Sequence, residues 1–337
     1  MAKITYNICV LIVTYSNRWQ FLEQVLRRVT TLENVTNIIV VDNASTYSVA
    51  QNCNLLQDER ITVIANAKNE GSAGGYKVGL KHFMTKTAAS FVWLLDDDNM
   101  PAPDALDKLT GEWASMPGHD QQKALFSLRP DRKEHVMIAQ GEDAKRFYMV
   151  ANSFMGFNLF RTPLNQYYKL RDRLFQRNQV KKNARLPYAP YGGMFFHKRM
   201  IDLIGYPEAE FFVYADDSEY TYRITEKGGQ IWLIPGSTIT DIDKSYGITY
   251  KRKFWKSIYL DLWGFRTYYQ VRNSVYFYDQ VNVSNRLVYG FNKWLFLSGQ
   301  WIISKLTSKQ ANYNKLLKAI HDGLTGSLGK VNPEKYS

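Results

Sequence analysis

The 337-residue sequence predicts an α/β protein: a mainly parallel central sheet with helices on both faces, followed by a basic, aromatic helical extension. Three observations carry this. Short, almost continuously apolar runs recur between segments of helical period, the pattern of strands buried on both faces. Polar residues collect where those runs end. After about residue 245 the strand pattern disappears and the positive charge concentrates.

Ile8–Thr14 is a buried strand, and Phe21, Leu22, Val25, Leu26 and Val29 then follow helical spacing. Asn37–Asp42 is a second strand, with helix-cap residues in Asn43-Ala44-Ser45. Ile61–Ala65 is a third. A Gly- and Asn-rich loop spans Asn66–Gly75 before a helix over Tyr76–Met84. Phe91–Leu95 is the fourth strand. It ends in Asp96-Asp97-Asp98, and a helix covers Asp104–Trp113. Four strand–helix repeats imply right-handed crossovers and a ligand crevice beyond the strand ends. Thr14, Arg18, Asp42, Asn43, Asn69, Gly71, Gly74, Gly75, Asp96 and Asp98 all fall there.

Strand alternation sends Asp96 and Asp98 to one side and Asp97 to the other. Paired carboxylates suit a hard divalent cation, though a solvated acidic turn has the same appearance. From Ala124 the pattern shifts to short strands at Ala124–Leu128, Val136–Ala139 and Phe147–Ala151, then a charged run over Lys169–Arg185. Tyr191–Phe196 is a strand led by glycines that permit a close approach. A helix spans Lys198–Ile204, and aromatics at Phe211, Phe212 and Tyr214 lead into the acidic helix start Asp216-Asp217-Ser218-Glu219. Gln230–Ile234 is a strand, and helices are expected over Tyr268–Tyr276 and Arg286–Leu306.

Net charge is +12. From Lys244 onward 15 Lys/Arg face four acids, a net of +11, so the first 243 residues are nearly neutral. Such a tail suits an anionic bilayer surface or an oligomer contact; no motif supports nucleic-acid binding. Cys9 and Cys53 fall in buried or helical segments, which argues against disulfides. Five scattered His and two Cys argue against structural zinc. Neither a signal peptide nor an uninterrupted apolar span of membrane length is expected.

The order of Val13-Thr14-Tyr15, Val41-Asp42-Asn43-Ala44-Ser45, Asn69-Glu70-Gly71-Ser72-Ala73-Gly74-Gly75, Asp96-Asp97-Asp98 and Asp216-Asp217-Ser218-Glu219-Tyr220 resembles the inverting GT-A glycosyltransferases of family 2. The resemblance covers residues 6–245 and continues weakly into Tyr269-Gln270-Val271-Arg272-Asn273. It implies a GT-A domain over 1–245, with a nucleotide-sugar half to about residue 100 and an acceptor half over about 120–245, then a helical region over 246–337. It also implies Mn²⁺ or Mg²⁺ on Asp96 and Asp98, a UDP-sugar donor and no organic cofactor. Asp217, with Asp216 beside it, would be the base; helix capping is the plainer role for both. The family usually places a His ligand further on. Here Thr240-Asp241-Ile242-Asp243 stands in that region, and Asp241 is the expected substitute. Thr14 and Tyr15 would frame the uracil, Asp42 and Asn43 the nucleoside, and Asn69, Gly71 and Gly74 the closing loop. Asp97 would orient the donor sugar, and Arg18 would reach a phosphate or remain a surface charge. Trp93 is assigned to the core. The triplet and glycine loop look most like galactofuranosyltransferases, with dTDP-rhamnose-dependent enzymes second and an inactive scaffold subunit third. The resemblance further implies a glycan or polyprenyl-linked acceptor, at the inner face of a bacterial cytoplasmic membrane.

Overall fold

A computed structural model describes residues 6–175, 181–243, 250 and 255–336. In chain order the elements are β1 (Ile8–Thr14), α1 (Trp19–Val29), β2 (Val35–Asp42), α2 (Val49–Asn54), β3 (Ile61–Ala65), α3 (Gly71–Lys86), β4 (Phe91–Asp96) and β5 (Asn99–Pro101). Then follow α4 (Ala105–Trp113), β6 (Lys123–Leu128), α5 (Lys133–Ala139), α6 (Thr162–Leu174), β7 (Ala184–Leu186), β8 (Met194–His197), α7 (Arg199–Ile204), α8 (Asp216–Glu226) and β9 (Gln230–Asp241). The last helices are α9 (Ile258–Asp261), α10 (Phe265–Val281), α11 (Arg286–Leu306) and α12 (Gln310–Leu324). The chain forms two compact units. One comprises Met1–Ala144, Val180–Phe212 and Asp216–Tyr246; the other comprises Lys145–Gln179, Val213–Ala215 and Gly247–Ser337. The expected boundary near residue 245 lies outside the described residues. The second unit also takes in 145–179, which the sequence places in the acceptor half.

All nine strands belong to the first unit, in the order β3-β2-β1-β4-β8-β6-β9-β5, with β7 on β9. β3, β2, β1 and β4 are parallel, as their apolar runs predict. β8 runs antiparallel between β4 and β6, so the sheet is mixed. Alternation sorts the core. Val10 and Ile12 of β1 and Trp93 and Leu95 of β4 pack with Leu22, Val25 and Leu26 of α1 and Leu106, Leu109 and Trp113 of α4. Trp93 is fully buried, as expected. The opposite face of β1 meets α3, where a Cβ on Gly79 would stand 2.3 Å from Leu11 Cδ1. Cys9 and Cys53 are free and buried.

Four sequence expectations fail locally. Val136–Ala139 is the end of α5, because its apolar residues sit at helical spacing against β9 and β6. Phe147–Ala151 forms no strand. The loop expected over Asn66–Gly75 ends at Glu70: α3 begins at Gly71, and its close fit on β1 outweighs the poor helix propensity of glycine. The residues after Ile234, expected to leave the sheet, extend β9 to Asp241.

In the second unit Arg272 of α10 is fully buried. Its guanidinium lies 4.7 Å from the Tyr269 ring centre, and Nη1 donates to Gly329 O at 2.6 Å. Arg272 Nε donates to Asn273 Oδ1 at 2.8 Å, which fixes the amide so that Nδ2 points at backbone. That Nδ2 donates to Val213 O and to Tyr214 O, each at 2.8 Å. The segment it holds has left-handed backbone at Tyr214 (φ 66°) and Ala215 (φ 59°), a conformation costly outside glycine. Asn273→Ala removes both donors from partly buried carbonyls. It should lower unfolding stability by about 1–3 kcal/mol in urea titrations.

Candidate active site

The site assembles at the carboxyl ends of β1 and β4, where strand order reverses, the position at which α/β sheets bind ligands. β4 stops at Asp96, and Asp97–Asp98 form the turn into β5. The expected alternation therefore ends one residue too early. Asp96 points to the α3 face, where Tyr76 Oη lies 2.8 Å from both its Oδ1 and Leu95 O. Asp98 does not follow Asp96; it joins Asp97 on the guanidinium of Arg18.

Arg18 is the hub. It is 8% exposed, so it is no surface charge. Nε donates to both oxygens of Asp97 at 2.8 and 2.9 Å, Nη2 to Asp98 Oδ2 at 2.9 Å, and Nη1 to Asp243 Oδ2 at 2.7 Å. Thr14 Oγ1 completes Asp97 with a bond of 2.8 Å. Thus Arg18, expected on a phosphate, spends its donors on carboxylates. Asp97 and Thr14, expected on the donor, are buried within that cluster. Tyr15 stays 37% exposed, with the guanidinium 5.4 Å from its ring centre.

Asp243 is the member that sequence reasoning missed. β5 pairs antiparallel with β9, Asn99 opposite Asp241, and Ile242 N donates to Asp98 O at 2.9 Å, which delivers the end of β9 to the triplet. The pairing partner of a three-residue strand has no signature in the sequence. Asp241 is engaged elsewhere. Its Oδ1 accepts from Arg129 Nη2 and, at 2.9 Å, from Asn99 Nδ2; Arg132 Nη2 lies 3.4 Å from Oδ2. Two guanidiniums on one carboxylate do not fit a metal ligand, so Asp241 is withdrawn from that role.

Asn43 and Asn69 fold the chain between β3 and α3. Asn43 Nδ2 donates to Gly71 O at 2.9 Å and to Asn69 Oδ1 at 3.2 Å, while Asn43 Oδ1 accepts from Glu70 N and Asn66 Nδ2. Gly71 has φ 71°, and a Cβ there would stand 1.8 Å from Phe212 O. Gly74 abuts Glu70 inside α3. These residues, expected to close over the donor, pack the site's wall instead. Asp42 caps its turn by accepting from Ser45 N at 2.8 Å through Oδ1, and keeps Oδ2 at a half-buried position. Gly192 does provide the expected close approach: a Cβ there would stand 2.7 Å from Asp96 Oδ2 and 1.8 Å from Asn99 Oδ1.

The second acidic pair opens α8. Asp216 is buried, and its Oδ2 accepts from Ser72 Oγ at 2.7 Å. Asp217 Oδ1 accepts from Ser218 N at 2.6 Å, and its carboxylate is half-buried. Burial raises both acids above the ordinary carboxylate range, and the charge of Asp96 adds to it in each case. Phe211 and Phe212, which lead into this helix, are buried.

The Arg18 guanidinium faces Asp97, Asp98 and Asp243, with Asp96 adjoining. Burial, then Asp96 and Asp97, push the Asp98 carboxyl up to about 7; burial pushes Asp97 up to about 6 against the pull of Arg18. The carboxylate oxygens of Asp96 and Asp98 are donors of the kind a hard divalent cation takes. Among the described residues no group of three or more His, Cys, Asp or Glu is arranged to hold a metal, so the pair would be the whole protein contribution.

Residues 9–120 match the family described as glycosyl transferase family 2. The fold is GT-A. The chain is similar to the mannosyltransferase PcManGT from Pyrobaculum calidifontis, solved with GDP-Man and Mn²⁺ (TM-score 0.54, 16% identity, 96% of this chain and 80% of that one). It is also similar to GalNAc-T7, solved with UDP, GalNAc and Mn²⁺ (0.54, 17%, 82% and 50%). A third similar structure is residues 1–349 of S. aureus TarS (0.50, 12%, 94% and 92%). The chain thus spans half the length of the GalNAc-T7 chain. No curated protein sequence matches it.

Arg18→Met leaves three carboxylates without their buried cation. It should destabilise the first unit by about 3–5 kcal/mol at neutral pH, and by less at pH 4, where Asp97 and Asp98 are protonated; urea unfolding at both pH values measures this. For Asp98 the folded pKa stands above the unfolded one. Its contribution to stability is therefore full below the unfolded value of about 4 and is lost as pH rises through about 7. Mn²⁺, which needs the ionised carboxylate, should bind more tightly as pH rises across that same interval in calorimetric titrations.

Proposed function

We propose that the protein is a metal-dependent, inverting glycosyltransferase that moves galactofuranose from UDP-galactofuranose to a hydroxyl of a glycan or lipid-linked glycan. The observation that carries this is the pairing of two acidic sets in one unit. Asp96 and Asp98 sit at the strand-order reversal, and Asp217 keeps a partly accessible carboxylate whose proton affinity is raised by burial and by Asp96. The glycosyl transferase family 2 match over residues 9–120 supports the reaction class. The galactofuranose assignment rests on the resemblance of Asp96-Asp97-Asp98 and Asn69–Gly75 to that group of enzymes.

Asp96 and Asp98 would hold Mg²⁺ or Mn²⁺, which when bound neutralises the diphosphate leaving group. Tyr76 fixes the rotamer of Asp96, and Arg18 fixes Asp98, so the ligands are set before the donor arrives. Asp42 Oδ2 accepts from the N–H of the base ring, and Tyr15 covers it. The acceptor oxygen attacks the anomeric carbon as the bond from that carbon to the phosphate oxygen breaks. The electron pair leaves with UDP, and the acceptor's proton passes to Asp217. One displacement inverts the anomeric centre. Asp216, held by Ser72, keeps a second carboxyl beside the base, and burial together with the charge of Asp217 raises its own proton affinity.

A donor screen with Mn²⁺ tests the assignment. UDP release with UDP-galactofuranose and acceptor is the expected result. Release of dTDP from dTDP-rhamnose alone would replace the donor, and no turnover with any nucleotide sugar would leave a non-catalytic scaffold. Asp217→Asn should lower kcat by about 10²–10⁴-fold with UDP and Mn²⁺ binding retained. Wild-type kcat/KM should rise with pH along a limb above the ordinary carboxylate range, and near-normal turnover in the variant would remove Asp217 as the base.

A further inference from the structure

α11 has its amphipathic order reversed. Leu287, Phe291, Trp294, Trp301, Ile302 and Leu306 recur at helical spacing, the arrangement that ordinarily marks a core-facing stripe. They are instead the exposed face: Leu287 is 86% exposed, Trp294 60%, Trp301 50% and Leu306 73%. The buried side carries Tyr289 and Phe296 but also Asn292 and Ser304, both fully buried. Asn292 Oδ1 accepts from Leu159 N at 3.0 Å, and its Nδ2 donates to Asn152 O at 2.9 Å. Those bonds orient the helix with its apolar stripe outward.

A second helix of the same unit also exposes its apolar residues. α6 has no buried residue, and Leu164, Tyr167, Leu170 and Leu174 are all exposed. Phe160, at the entry to α6, lies 6.1 Å from the Phe291 ring, which in turn lies 6.0 Å from Trp294 and nearly parallel to it. The aromatic part of the stripe thus reaches the residue that leads into α6, and the exposed apolar side chains exceed what scattered surface residues would give.

Charge narrows what covers it. α11 contains Arg286, Lys293 and Lys305 and no Asp or Glu. Lys305 Nζ lies 5.9 Å from the Trp301 ring centre, at the margin of the stripe. α6 adds Lys169, Arg171 and Arg173 against Asp172, which is already paired with Arg146. A second copy docked by two-fold symmetry would set cation against cation. No helix among the described residues is long and apolar enough to cross a membrane. Trp, Phe and Leu bordered by Lys and Arg match a helix lying in the plane of an anionic bilayer, its rings at headgroup depth and its cations on the phosphates.

We propose that α11, with α6 beside it, is a docking surface for an anionic lipid bilayer. The inference is independent of the sugar donor and of catalysis. Full-length protein is floated with phosphatidylcholine vesicles containing or lacking phosphatidylglycerol, and tryptophan quenching by brominated lipid is read in parallel. The expected result is association on the order of tenfold tighter with the anionic vesicles, weakened by salt and accompanied by quenching. Trp294→Glu combined with Trp301→Glu should abolish both signals with the circular dichroism spectrum unchanged. Lys293→Glu combined with Lys305→Glu, which leaves the apolar stripe whole, should abolish the preference for anionic lipid. Equal binding to both vesicle types, or binding that survives both double variants, overturns the proposal. So does failure to float together with a concentration-dependent dimer that Trp294→Glu dissociates, which would assign the patch to a second copy.

Discussion

The candidate site depends on one guanidinium. Arg18 stands where the first strand hands over to the first helix, and it meets carboxylates from the β4–β5 turn and from the end of β9. Without it Asp97, Asp98 and Asp243 could not share so small and dry a volume. A buried carboxylate loses several kcal/mol of hydration, and the loss is offset only by a close partner with good geometry. Arginine suits the position because its planar fork serves three acids at once while its charge cannot be lost by deprotonation. The cluster ties the carboxyl ends of β1 and β4 to the segment that follows β9.

Arg18 compensates part of the acidity, Arg129 and Arg132 absorb Asp241, and Asp96 keeps only the Tyr76 hydroxyl. The carboxyls left over are held above their usual proton affinity by burial and by one another. Tyr76 and Arg18 hold the Asp96 and Asp98 carboxyls in place. The same reasoning separates Asp241 from Asp98. They are close in the fold, but one is saturated by guanidinium and the other is not.

Polar residues clustered at strand ends turn out to have two kinds of work. Asn43, Asn69 and Gly71 form a self-contained network that shapes the turn into α3, with backbone partners for each amide group that the structure describes. Asp42, Asp96 and Asp217 each retain carboxylate capacity beyond their local bonds. Sequence position at a strand end does not distinguish the two groups, since turn-forming and ligand-binding residues share the same chemistry of short polar side chains.

The apolar runs and their spacing, by themselves, determined four parallel strands, the covering helices and the end of the sheet at which polar residues gather. Each follows from local periodicity and from the need of a buried strand to be apolar on both faces. The extent of α11 was equally legible. What only the tertiary structure decided was direction and partnership. β8 enters antiparallel, β5 captures β9 and brings in Asp243, and the strand ends at Asp96, so Asp98 turns toward Arg18. The apolar stripe of α11 faces outward because Asn292 and its backbone partners anchor the opposite side. Pairings across more than two hundred residues, and the sense of a helix about its own axis, depend on contacts that no local pattern encodes.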